Sequence, residues 1–123
     1  MENKEIGYKH YVFVDGDLPG NGDDMSLPGH EAMMITNPHT VDAHILVTIY
    51  FEDKEPMKEL HLTVPAQRVN CIRMDLPICE EGFQIPFGQY SVEIVSDVTV
   101  CASYGRLDRR HELGYYSTGY CAV

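Results

Sequence analysis

The chain has 123 residues, and its 19 acidic side chains against 9 basic ones leave a net charge of −10. That length suits a single domain, here residues 1–123, able to hide roughly two thirds of its unfolded surface, so folding requires neither a metal nor a disulfide. The acidity disfavours nucleic acid as a partner, because polyanion binding draws on clustered Lys and Arg, and the cluster Arg106, Arg109 and Arg110 is interrupted by Asp108 and Glu112.

In chain order, the start MENKEIGYKHY has no apolar h-region, and no apolar run approaches the ~20 residues that span a bilayer. A soluble, cytoplasmic protein without membrane insertion is expected. YVFV at 11–14 reads as a short strand, followed by a Gly- and Pro-rich loop, DGDLPGNGDDMSLPGH, at 15–30. EAMMITN at 31–37 is a second strand, ended by Asn37-Pro38. AHILVTIYF at 43–51 alternates fully: Ile45, Val47, Ile49 and Phe51 share one face, and His44, Leu46, Thr48 and Tyr50 the other. EDKEP then stops the strand. Leu60, Leu62 and Val64 alternate up to Pro65, and RVNCIRM at 68–74 follows. A second long loop, DLPICEEGFQIPFG, fills 75–88. QYSVEIVS at 89–96 and VTVCASY at 98–104 read as two strands split by Asp97, LDRRHELG at 107–114 as a loop or a single helical turn, and YYSTGYCA at 115–122 as a weaker last strand. About eight short strands at regular spacing predict an all-β, antiparallel sandwich or barrel.

Cys71, Cys79, Cys101 and Cys121 form no CxxC pair, so free, buried thiols are expected. His10, His30, His39, His44, His61 and His111 show neither HxH nor HExxH spacing. His44 and His61 are candidate cross-strand neighbours, a two-ligand metal site at best. Asp15, Asp17, Asp23 and Asp24 lack the EF-hand register for calcium. GDLPGNG has neither the Lys-Ser/Thr nor the helix of a phosphate loop, and no GxSxG occurs. No metal, cofactor or catalytic residue is expected, and the protein is read as a non-enzyme.

The segments YVFVDGDLPGNG, GHEAMMITNP, DAHILVTIYFEDKEP, LTVPAQRVNCIRM and SDVTVCASYGRLDRR occur in an order that resembles the sensory rhodopsin transducer family. The central pair is the most specific match, and the resemblance spans about Tyr11 to Thr118. It implies a jelly-roll-like β-sandwich, assembly into a homotetramer, and binding of a small molecule such as a sugar.

Several side chains are candidates for ligand binding. His30 and Glu31 match the family's His-Glu, although neighbours on a strand point to opposite faces; the alternative is that His30 holds the 15–30 loop and Glu31 faces a partner. Arg106 and Asp108, two apart, share a face if extended and suit a polyol or carboxylate, or form a structural ion pair. Arg68 opens a strand and either caps an edge or crosses an interface. Tyr50 suits stacking on a sugar ring, with Asp53 beside it, though a sandwich tyrosine also serves core or interface. Ser117, within Tyr115, Tyr116, Ser117, Thr118 and Tyr120, offers a hydroxyl to a site or an interface. The leading function is a small-molecule-binding homo-oligomer. The alternatives are an adaptor that docks a protein partner such as a membrane photoreceptor, and a metal-assisted enzyme on a jelly-roll frame.

Overall fold

Alternation along AHILVTIYF makes the strand it predicts: Ala43, Ile45, Val47 and Ile49 are buried while His44, Leu46 and Tyr50 are exposed. A computed structural model of the chain describes residues 6–18, 30–108 and 115–119. Within them run β1 (Tyr8–Leu18), β2 (His30–Asn37), β3 (Ala43–Phe51), β4 (Met57–Val64), β5 (Arg68–Arg73), β6 (Gly88–Asp108) and β7 (Tyr115–Gly119). Every pairing between them is antiparallel.

Two sheets share one strand. The first half of β6 lies between β1 and β3, with β4 outside β3; its second half lies between β2 and β7, with β5 outside β2. The sheets pack as a sandwich, and Phe13 of the first stacks on Tyr104 of the second with ring centres 5.4 Å apart. The core continues through Met33, Ile35, Ile45, Val47, Ile49 and Val92.

The all-β sandwich stands as expected, with seven strands in place of about eight. Asp97 does not split residues 89–104. Its side chain points outward and accepts a hydrogen bond from the His44 backbone N–H (2.8 Å), so β6 runs from one sheet into the other without a turn. β1 also extends past residue 14 to Leu18, because Gly16 lets its backbone lie against the Tyr90 ring, where an added Cβ would come within 2.5 Å of a ring carbon. Residues 109–114, read as a loop or helical turn, lie outside the described residues, as do Asp23, Asp24 and Cys121.

The thiol expectation needs correction. Cys71, Cys79 and Cys101 are free, but Cys71 and Cys101 are exposed, since both fall on the outward phase of their strands. His44 and His61 share the outer face without facing each other: His44 pairs with Thr63, and His61 with Leu46. No helix among the described residues is long and apolar enough to cross a membrane.

Candidate functional site

The inward phase of β2 is Glu31, Met33, Ile35 and Asn37, all buried. Two of these are polar and sit at opposite ends of the strand. Glu31 is a carboxylate with 0% exposure, and such a group persists in an apolar core only if paired and hydrogen-bonded. Its Oε1 accepts from the hydroxyls of Tyr90 (2.6 Å) and Tyr104 (2.7 Å). Its Oε2 accepts from Arg106 Nε (2.5 Å) and from the backbone N–H of Asp17 (3.0 Å). The two tyrosine hydroxyls also lie within hydrogen-bonding reach of each other, so their two protons are shared among three contacts.

Register explains the convergence. Glu31 pairs with Arg106 across β2 and β6, and Tyr104 precedes Arg106 by two, on the same face. Burial first, and then negative neighbours including Glu31, push the Tyr90 and Tyr104 hydroxyls far above the usual tyrosine range, so both remain protonated donors.

The network opens outward through Arg106. Its Nη2 donates to the Asp15 carbonyl (3.0 Å) and to Asp15 Oδ1 (3.1 Å), which also accepts from Gln89 Nε2 (3.0 Å). Side-chain exposure rises from 0% at Glu31 through 11% at Arg106 to 71% at Asp15. The Gln89 amide, and then the Arg106 guanidinium, hold the Asp15 carboxyl below the usual range, so it stays ionised. Gln89 also lines a groove of 400 Å³ with Phe51, Asp53, Lys54 and Phe87, and Phe87 is 68% exposed. A smaller hollow of 180 Å³, reaching Tyr50 and Tyr90, shares Phe51, Glu52 and Gln89 with it. A polar floor beside an exposed aromatic ring can hydrogen-bond a ligand's hydroxyls and cover its C–H face.

The structure brings together some of the residues singled out from sequence and separates others. Glu31 and Arg106 meet in the network, and Asp53 lines the groove beside it. Ser117 pairs in register with Arg106, Asp108 with Tyr115, and His30 with Leu107; the side chains of Ser117, Asp108 and His30 lie outside the described residues. Tyr50 faces outward, donating its hydroxyl to Glu93, which also meets His10 Nε2 at 2.5 Å. Arg68 lies by Asn37 at the far end of β2, where its Nη1 donates to the carbonyls of Ala66 (3.4 Å) and Gln67 (3.0 Å).

Asp15, Phe87, Gln89, Tyr90 and Tyr104 were not read from sequence as one site. A usable signal existed for Tyr90: it shares the inward phase of β6 with Val92 and Ile94, and a buried hydroxyl there needs a partner.

A second groove, of 510 Å³, lies between β4, β5 and residues 76–80. Its polar groups are occupied differently. Arg73 is held by two hydrogen bonds to Asp75 (2.7 and 2.6 Å), and burial followed by Glu81 and Glu80 pushes the Cys79 thiol up to about 12, which removes it as a nucleophile. Among the described residues no group of three or more His, Cys, Asp or Glu is placed to hold a metal ion.

Comparison with known proteins gives three findings. The family model of the Anabaena sensory rhodopsin transducer matches residues 6–120. Among solved structures, Thermotoga maritima 1070 superposes with a TM-score of 0.78 at 27% identity, covering 93% of this chain and 92% of that one. The Anabaena sensory rhodopsin transducer itself superposes with a TM-score of 0.73 at 34% identity, covering 87% of this chain and 94% of that one. No curated protein matches.

Proposed function

The chain belongs to the Anabaena sensory rhodopsin transducer family, and from that premise we propose that it is a non-enzymatic module that binds a small polar metabolite, a sugar or a close relative, as a homotetramer in the cytoplasm. The observation that carries the reading is the groove lined by Phe87 and Gln89, whose Gln89 is tied by a chain of hydrogen bonds through Asp15 and Arg106 to the buried Glu31. Phe87 supplies an apolar plane, while Asp53, Gln89 and Asp15 supply hydrogen-bonding groups beside it. Glu31 contributes from beneath, by fixing Arg106. Ser117, opposite Arg106, and Asp108, two residues beyond it, belong to the same proposed site by register, His30 stands next to Glu31 in the alternate phase, and Tyr50 belongs to the outer rim.

The test is a thermal-shift screen against neutral sugars and amino sugars, because a ligand that binds the folded state alone raises the melting temperature. A rise with at least one sugar, lost in Arg106→Ala, is the expected outcome; no rise with any of them at millimolar concentration ends the reading. Self-assembly is supported by the outer face of the second sheet, where Met34, Thr36, Val69, Cys71, Cys101 and Ser103 carry no charge and Arg73, in the same phase, is paired with Asp75. Light scattering is expected to give about four times the 13.9 kDa chain mass.

A second reading, docking of a protein partner such as a membrane photoreceptor, is favoured by the outer face of the first sheet. Val14, Leu46 and Val95 are exposed there by 70%, 44% and 45%. Leu46→Glu separates the two readings, since it would abolish partner binding and leave sugar binding unchanged.

A further inference from the structure

Resting on the binding reading above, we propose that the groove beside Phe87 sorts ligands by charge: it accepts neutral or ammonium-bearing polyhydroxylated compounds and rejects their phosphorylated and carboxylated counterparts, with Asp15 as the specificity-determining contact. An arginine beside a groove usually suggests an anion site, because a guanidinium matches carboxylate and phosphate in a bidentate fork. Here Arg106 is turned away from that use. Its Nε is on Glu31, its Nη2 is on Asp15, and its side chain is 11% exposed.

Next to the groove stands Asp15, hydrogen-bonded to its lining residue Gln89. One carboxylate oxygen, Oδ1, is fixed by Gln89 and Arg106; the other, Oδ2, has no partner among the described residues, and the side chain is 71% exposed. An ionised carboxylate held from one side accepts hydrogen bonds and donates none. Its complement is a pair of hydroxyls or an ammonium.

The charges around the groove point the same way. Among the described residues, the charged groups lining the groove are Glu52, Asp53 and Lys54, and beside them Arg106 is already held between Glu31 and Asp15. The Lys54 ammonium lies 4.9 Å from the centre of the Phe51 ring, so the aromatic wall already faces a cation supplied by the chain itself. A phosphate or carboxylate entering here meets like charge on Asp15, Glu52 and Asp53, which disfavours binding strongly at short range. The groove therefore combines an aromatic surface, a fixed acceptor and a negative field, and the three agree on one ligand class.

The test is calorimetric titration of the full chain with matched sets of probes: glucose, galactose and mannose, the 2-amino sugar of each, and the 6-phosphate of each. At least one neutral or amino sugar is expected to bind, with its 6-phosphate weaker by more than about tenfold. Asp15→Asn is expected to weaken the neutral or amino sugar and to narrow that gap. The double variant Glu52→Gln with Asp53→Asn should narrow it independently, so the result does not hang on one substitution. A 6-phosphate that binds as tightly as its parent sugar overturns the charge selection and leaves the binding reading standing. If none of the probes binds, both are overturned.

Discussion

At one end of β2 Asn37 is fully buried, and at the other end Glu31 is. The Asn37 side chain donates to the carbonyls of Val41 (2.8 Å), Val64 (3.1 Å) and Pro65 (3.4 Å), and accepts from the His39 N–H (3.0 Å). His39 in turn meets the Thr99 hydroxyl at 2.7 Å, and its carbonyl accepts from Gln67. These partners tie the turns after β2 and β4 to each other and to β6, and the network stays inside the fold. The Glu31 network is charged, reaches across β1, β2 and β6, and ends on the exposed Asp15. A buried polar group whose partners stay inside the fold staples it. One whose partners lead out to a fixed, solvent-facing carboxylate positions a site.

The sharpest break in that contrast is Glu31→Ala. It leaves Arg106 without its buried counter-ion and takes from the two tyrosine hydroxyls the carboxylate acceptor they share, a loss of about 3–5 kcal/mol. Urea unfolding measures it, and a change below about 1 kcal/mol would show that Glu31 does not organise this end. Asn37→Ala should lower stability by nearly as much, about 3 kcal/mol, because the buried Val64 carbonyl and the half-buried carbonyls of Val41 and Pro65 lose their donor together. It should leave ligand affinity unchanged, and a parallel loss of affinity would erase the distinction between the two ends.

Gly16→Ala forces a methyl to within 2.5 Å of the Tyr90 ring, and displacing a packed ring costs about 1–2 kcal/mol. Because Tyr90 is a donor to Glu31, ligand affinity should fall with stability; unchanged affinity would detach the tyrosine from the site.

The smallest effect is on pH. Gln89, and then Arg106, depress the Asp15 pKa in the folded chain. Its contribution is therefore present above the unfolded value, near ~3.9, and disappears as pH falls through the lower folded value. With the side chain 71% exposed, solvent screening holds this well below about 1 kcal/mol. The stability gap between the wild type and Asp15→Asn should shrink as pH drops below about 4, and a gap constant down to pH 2 would contradict it.

Period-two alternation made most strands legible, since burying one face and wetting the other is a local instruction written every second residue. β3 carries it in full, as do Leu60, Leu62 and Val64 of β4. Asp97 misled because an acidic residue between two apolar runs looks like a turn. Its actual role, accepting the His44 N–H, depends on a neighbouring strand distant in sequence. Cys71 and Cys101 misled for a related reason: strand membership was visible, but the face each residue occupies depends on register.

For the site, His30-Glu31 and the arginine of GRLD stood out as residues, and their grouping did not. Glu31 and Arg106 are 75 positions apart and meet because β2 pairs with the second half of β6. Tyr90 and Tyr104 join them because a single strand crosses between the sheets. By itself the sequence determined the β class, most strand positions and the family, because each is encoded in local patterning or in ordered motifs. Only the tertiary structure decided which polar residues stand together, which face each cysteine takes, and that Arg106 is held between two carboxylates. Those are consequences of register and burial, which arise only when distant segments pack.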